Sequence, residues 1–315
     1  MKTRAWAMFW LIGLIWGSSF MFISVGVREL RPIEVVFIRT AIGALGLWLV
    51  IFLRRVPTIT DWRNIRAVII IGLGNVLAPF LLISWGEQYI PSGLAAVLQS
   101  TAALFALVIA HFAFADESMT VRKVIGLVTG FIGVVVLFSG DLSGGDDSSL
   151  ALLGQLAIVG ASLFYATFTT YSRKMIRGSI EPVVMAGGTM LVAALASAPL
   201  VFFTEGGFTP LRQPLSSDVL WSMVILGALN TFVAYLFYYF IVRELGVART
   251  SMVTYIVPIV GLVLGALFLN EEVGTTLLIG TALIFAGIGV VNLQLRRRAK
   301  TEVASSSVEQ AQAEA

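Results

Sequence analysis

The stretch WAMFWLIGLIWGSSFMFISV, residues 6–25, runs for twenty residues without one Asp, Glu, Lys or Arg. Twenty mainly apolar residues at 1.5 Å rise cover the roughly 30 Å hydrocarbon core of a bilayer, so this stretch reads as a membrane-crossing helix. Runs of the same kind follow at 32–53, 67–86, 92–114, 121–139, 150–170, 182–203, 219–242, 247–269 and 275–294. Several of the breaks between them are only a few residues long, so neighbouring helices pair as antiparallel hairpins, and none is long enough for a soluble domain. The expected fold is an all-α integral membrane protein of ten transmembrane helices. Lys2 and Arg4 ahead of the first run would also suit a cleaved signal peptide. Related residues recur inside a later run, however, and the first run is read as a retained span.

Composition supports the lipid reading. Hydrophobic residues are 58%, charged residues 12% and mean hydropathy +0.93, against about 45–50% and roughly 25% in soluble domains. The net charge of +3 is spread as short flanks between apolar runs. That pattern fits a lipid bilayer as partner and leaves no patch for nucleic acid. There is no cysteine, which excludes disulfides, thiol catalysis and thiolate metal sites, and His111 is the only histidine. A histidine metal cluster or a Ser-His-Asp site is therefore out of reach within one chain, and neither a metal nor a cofactor nor an enzymatic activity is expected.

Lysine and arginine orient the spans. Of the 21, 17 fall on the side of the N-terminus, three (Arg28, Arg31, Arg212) on the other, and Arg39 lies inside a span. The N-terminal side reads as cytoplasmic, with both termini inside and the chain crossing the cell inner membrane as a multi-pass protein.

The chain also matches itself at a displacement of about 150 residues. Ile15-Trp16-Gly17-Ser18 lies over Phe164-Tyr165-Ala166-Thr167, and Pro32 over Pro182. Gly72 and Asn75 lie over Gly227 and Asn230, Asp116-Glu117 over Glu271-Glu272, and Gly126 and Gly133 over Gly280 and Gly287. The domains so defined are a first five-helix repeat at 1–140, an external connector at 141–149, a second repeat at 150–299 and a disordered cytoplasmic tail at 300–315. Five is odd, so the second copy enters the membrane from the opposite side. Such inverted repeats are the framework of alternating access, with a substrate site near the midplane.

Trp16-Gly17-Ser18-Ser19-Phe20, Arg39 and the twice-repeated acidic pair before a glycine-rich last helix resemble the drug/metabolite transporter superfamily, EamA branch. The resemblance spans roughly residues 6–295 and rests on the order of features, since a WGSSF-like stretch alone is weak. It implies ten helices as two inverted five-helix repeats and export of amino acids or related small metabolites. An importer of a vitamin or nucleotide-like compound on the same fold is the nearest alternative. An intramembrane lipid-handling enzyme or a channel is the alternative of another class, and the enzyme lacks any catalytic cluster in the spans. The fourth span has Ala102-Ala103 where the ninth has Pro258, so the first copy is expected to bend less there.

Charges inside spans are costly and tend to be functional. Arg39 either pairs with a substrate carboxylate or satisfies backbone carbonyls of a neighbouring helix. Asn75 and Asn230, at equivalent depth, either bind substrate or join helices. Trp16, Phe20, Tyr165, Tyr238 and Tyr255 offer aromatic walls with polar handles, beside Tyr235, and Gln99 adds an amide. Each of these aromatics also has a plain packing reading. The expected cavity is lined by spans one, three, four, six, eight and nine, with the second, fifth, seventh and tenth outside. No Asp or Glu lies in the middle of a span, which argues for facilitated diffusion or exchange over proton coupling. His111 is read as a packed, hydrogen-bonded side chain. The pairs Gly126/Gly130 and Gly261/Gly265 suit close helix contact, within one copy or across a homodimer.

Overall fold

The computed structural model describes residues 2–115, 117–139, 146–176, 180–203 and 207–291, and all regular structure among them is helical. Eight helices are long and apolar enough to cross a membrane: α1 (Thr3–Gly26), α2 (Pro32–Leu53), α3 (Trp62–Gly86), α4 (Ser92–Ala113), α5 (Val121–Ser139), α6 (Ser149–Met175), α7 (Pro182–Phe202) and α8 (Ser217–Leu245). Two shorter apolar helices complete the set, α9 (Val253–Phe268) and α10 (Thr275–Val291). All ten fall where the apolar runs lie. α9 is short because one helical turn, Val247–Thr250, is set off from it by a turn at Ser251–Met252. α10 runs to the last described residue of its segment. The expected connector is partly helical, since the helix leading into α6 begins at Asp146. Residues 140–145 and the expected tail at 300–315 lie outside the described residues.

Local chemistry sets the helix ends. Pro32 and Pro182 occupy first helical positions, where a missing N–H costs nothing. Asp61 Oδ2 accepts from the Asn64 amide (3.2 Å) and Ser216 Oγ from that of Val219 (3.4 Å). Gly246, at φ +79°, stops α8 in a conformation that favours glycine. Along α1, Ala5, Phe9, Ile12 and Ile15 are buried at helical spacing while Trp6, Trp10 and Leu14 are exposed. An apolar face turned outward on this scale belongs in lipid.

The bend in the fourth span departs from expectation. Both spans are interrupted at the equivalent place, the fourth at Ser100–Thr101 and the ninth at Ser251–Met252, beyond which α9 runs unbroken through Pro258. The Ser100 and Thr101 hydroxyls donate back to the carbonyls of Val97 (2.6 Å) and Leu98 (2.7 Å), offering the backbone an alternative to the helical ladder. The first copy thus breaks as the second does, and Pro258 lies within continuous helix beyond the break.

Most helix contacts come in matched pairs. α1 packs on α9 as α6 packs on α4, α3 on α6 as α8 on α1, and α2 on α8 as α7 on α3, while α2 and α7 pack on each other. Exchanging the two halves maps this set onto itself. α2 and α7 are therefore central, against the expectation that both lie outside. Small residues permit it: Ala44, Gly187 and Ala193 are on their buried faces, and Trp48 Nε1 donates to the Gly187 carbonyl (3.1 Å).

α5 and α10 meet through their glycines within the one chain. A Cβ on Gly126 would lie 2.6 Å from the Gly287 carbonyl oxygen, and one on Gly133 2.7 Å from that of Gly280. At Gly287 a Cβ would meet the Gly126 carbonyl and, at 2.6 Å, the Gly130 nitrogen, all of it backbone that cannot turn aside. Gly287→Ala should therefore lose about 1–3 kcal/mol of stability, read as a lower melting temperature of the purified protein. Gly289→Ala, with nothing within 4 Å, should match wild type or exceed it slightly. Equal melting temperatures for the two variants would refute this packing.

Candidate functional site

On α2 the residues Val35, Val36, Arg39, Thr40 and Gly43 recur at helical spacing on the buried face, which carries Arg39 into the bundle. Its guanidinium Nε donates to Thr231 Oγ1 on α8 (3.0 Å), and its Cζ stands 3.8 Å from the centre of the Phe80 ring on α3. Tyr165 of α6 and Tyr235 of α8 are its electrostatic neighbours. The ion pairs among the described residues are Arg31–Glu34 and Lys123–Glu117, so Arg39 has no carboxylate within 4 Å there. Its two terminal nitrogens have no acceptor among the described residues and retain contact with open space.

Both halves break α-helical geometry at this depth. Gly72–Leu77 in α3 and Ala228–Val233 in α8 are π-helical turns, and they carry Asn75 and Asn230. Such wide turns are frequent at functional sites. In α8 the turn leaves the Leu226 carbonyl to accept from the Thr231 hydroxyl (2.9 Å), which aims that hydroxyl's oxygen at Arg39.

The two asparagines differ in surroundings. Asn230 is fully buried; its Nδ2 faces the Ile15 carbonyl and the hydroxyls of Ser18 and Ser19, each at 3.0 Å, and ties α8 to α1. Asn75 is half-buried, with one long contact, from Thr169 Oγ1 at 3.4 Å. The WGSSF serines thus belong to a helix joint, and Asn75 is the open member of the pair. A cysteine at 75 should react quickly with a small water-soluble thiol reagent and one at 230 slowly. Equal rates would contradict the asymmetry.

Aromatic rings extend from this centre towards the N-terminal side. Trp16 stands 6.2 Å from Tyr235 and 5.4 Å from Tyr238, while Tyr239 is 6.0 and 5.7 Å from those two tyrosines. Tyr239 also borders a cavity of about 360 Å³ whose other walls are Ser172, Arg173, Ile176, Ile180, Pro182 and Met185. These residues end α6 and begin α7, so the cavity lies on the side of the N-terminus.

On the opposite side polar contacts join the halves. Glu271 accepts from the amides of Ser92 (2.7 Å) and Gly93 (2.9 Å) at the start of α4. Glu34, fully buried, accepts from the Thr209 amide (2.7 Å) and hydroxyl (3.0 Å). Arg31 donates to the carbonyls of Val201 (3.2 Å) and Gly207. The Ser216 amide donates to Glu29 (2.9 Å), and the Ser216 contacts hold that carboxyl below its ordinary range.

The structure thus gathers Arg39, Trp16, Tyr165 and Tyr238, with Asn75 on the neighbouring π-turn, and adds Phe80, Thr231, Tyr235 and Tyr239. Phe20 is buried in a core cluster with Ile23, Ala95 and Ala96, against which Tyr165 also packs. Tyr255 lines a separate cavity of about 200 Å³ with Glu117 and Lys123. Gln99 sits at the break of α4 with Oε1 unpartnered, while its carbonyl accepts from Ser162 (3.2 Å). His111 is hydrogen-bonded as expected, its Nδ1 2.7 Å from the Glu117 carbonyl oxygen. Tyr239 was legible in the run Tyr235–Phe240. The buried carboxylates Glu34 and Glu87 were not, because both stand at helix ends, where an acid usually meets water.

Known proteins resemble the chain along nearly its whole length. The pattern of the EamA-like transporter family matches twice, over residues 4–139 and 152–293. An uncharacterized transporter of Bacillus subtilis (strain 168), YoaV, is 27% identical over 91% of this chain and 96% of its own. A probable amino-acid metabolite efflux pump of Escherichia coli (strain K12) is 25% identical over 94% and 97%. A solved crystal structure, 20% identical, superposes with a TM-score of 0.65 over 94% of this chain and 98% of its own, which shows a shared fold.

Proposed function

Because the chain belongs to the EamA-like transporter family and is a multi-pass membrane protein, we propose that it exports small carboxylated metabolites, amino acids or their derivatives, across the cell inner membrane. The observation that carries this reading is Arg39, a cation deep in the bundle with its terminal nitrogens unused and aromatic rings around it. Uncompensated charge inside a membrane is costly, and a bound carboxylate supplies the missing partner by charge-assisted hydrogen bonds. Trp16, Tyr165, Tyr235 and Tyr238 form the apolar wall for the rest of the molecule, with Asn75 and Gln99 as further polar handles. The name of the Escherichia coli relative, an amino-acid metabolite efflux pump, points to the same substrate class.

In this reading the units are 1–140 and 150–299, joined outside the cell by 141–149, and they enter the membrane in opposite senses. The matched helix contacts, the cavity on one side and the polar seal on the other support alternating access, with the described conformation closed to the outside. Counterflow in proteoliposomes loaded with amino acids, against the corresponding decarboxylated amines, tests the substrate class. Carriage of the amines at equal rates would sink it. Reporter fusions after Arg177 and after Arg298 should read cytoplasmic, and one within 142–148 external. A cytoplasmic signal from the last would overturn the five-plus-five arrangement.

A further inference from the structure

Glu87 follows the last residue of α3 and is 5% exposed, yet neither of its carboxylate oxygens has a hydrogen-bond partner among the described residues. Its surroundings offer little to a negative charge. The charged groups facing it are Glu271, from the connection between α9 and α10, and Arg39 of α2. From α1 comes only a weak polar contact with the Ser24 main chain, short of a full hydrogen bond. α6, packed along the end of α3, faces it with no charged group among the described residues. Glu271 is already committed to the amides of Ser92 and Gly93. A bare carboxylate in such a place costs several kcal/mol, and a proton removes most of that cost.

We propose that Glu87 is a proton-binding site of the outer gate, which keeps its proton while Glu271 caps α4 and releases it to outside water when that contact opens. The ligand is the proton alone: one O–H bond of the acid breaks and the proton passes to incoming water. Burial first, and then the neighbouring Glu271, raises the Glu87 carboxyl well above the usual carboxylate range, while Arg39 pulls the other way. Opening hydrates the group and lets it ionise. The closed state therefore binds one proton more than the open state, so acid favours closure and alkali favours opening. One proton limits the effect to about tenfold per pH unit. The buried acid stands at the end of a helix, outside the middle of every span.

Two measurements on the full chain test this. The first reads the proton directly and is independent of any transport reading. At neutral pH the infrared spectrum of the wild type in lipid should contain the carbonyl band of a protonated carboxylic acid. That band should vanish in Glu87→Gln and shift in Glu87→Asp, so either variant serves if the other does not reach the membrane. A band unchanged in the variant obtained would overturn the proposal.

The second measurement rests on the alternating-access reading. Ser92→Cys, which keeps the amide that Glu271 holds, is labelled from outside by a membrane-impermeant thiol reagent. Corrected for thiol ionisation, its rate should rise with external pH by up to about tenfold per unit, and the rise should be lost in Glu87→Gln. Equal pH dependence in both backgrounds would separate Glu87 from the gate and overturn that half of the proposal.

Discussion

Arg39→Gln should abolish counterflow of carboxylated substrates while folded yield and melting temperature stay near those of the wild type. The side chain makes one hydrogen bond, from Nε to Thr231, and stacks on Phe80. A glutamine amide retains a donor of similar reach, and removing a buried charge relieves an insertion cost of about 2.5–3.5 kcal/mol, so the fold loses little. Substrate loses far more. Hydrogen bonds to a charged group contribute roughly 1.5–3 kcal/mol each, and two of them correspond to more than a hundredfold in affinity. Arg39→Lys should fall between, because an ammonium keeps the charge without the planar pair of donors. Proteoliposome counterflow and thermal melting of the same preparations decide the matter. If stability falls together with transport, Arg39 is a structural cation and the substrate assignment fails.

The features legible in the sequence are those set by period and by solvent. Ten apolar runs are ten helices because a backbone in lipid must satisfy itself by hydrogen bonding. The displacement that lays Asn75 over Asn230 falls on two π-turns, although nothing in the letters announces that geometry. Neighbours were harder to read. α2 and α7 carry exposed leucines, as an outer helix would, yet Gly187 and alanines on their buried faces let them pack together at the centre. Pro258 suggests a bend in the second copy alone, whereas both copies break nearer the start of the span, at Ser100–Thr101 and Ser251–Met252, and in the first copy hydroxyls compete for carbonyls there without any steric signal in the chain. Asn75 and Asn230 are alike by position and differ by conformation: a repeat specifies equivalent places, while one conformation seals one side only. Glu34 and Glu87 illustrate the same point. Their depth follows from what the other half of the molecule lays over them, and no local pattern records it.

Glu34→Ala should open the outer seal. This carboxylate accepts from the Thr209 amide and hydroxyl in the second half and from the Arg31 amide (2.8 Å) and guanidinium (3.2 Å) beside it. Arg31 in turn holds the carbonyls of Val201 and Gly207. Removing the central acceptor strands the Thr209 donors and frees Arg31, which lies partly in solvent and so loses less than a buried partner would. A net loss of about 2–3 kcal/mol from the closed state is expected, a shift of roughly 30- to 150-fold in the balance between states. In this background a cysteine at 75 should be labelled more slowly from the N-terminal side, and one at 92 faster from the other. Glu34→Gln, which retains an acceptor oxygen, should shift both rates less. Glu29→Ala is the control: losing its exposed contacts with Ser216 should move either rate by less than about fivefold. If Glu34→Ala lowers the melting temperature and leaves both labelling rates unchanged, the acid only braces α2, and the seal of the outer side resides in Glu271 and its hold on α4.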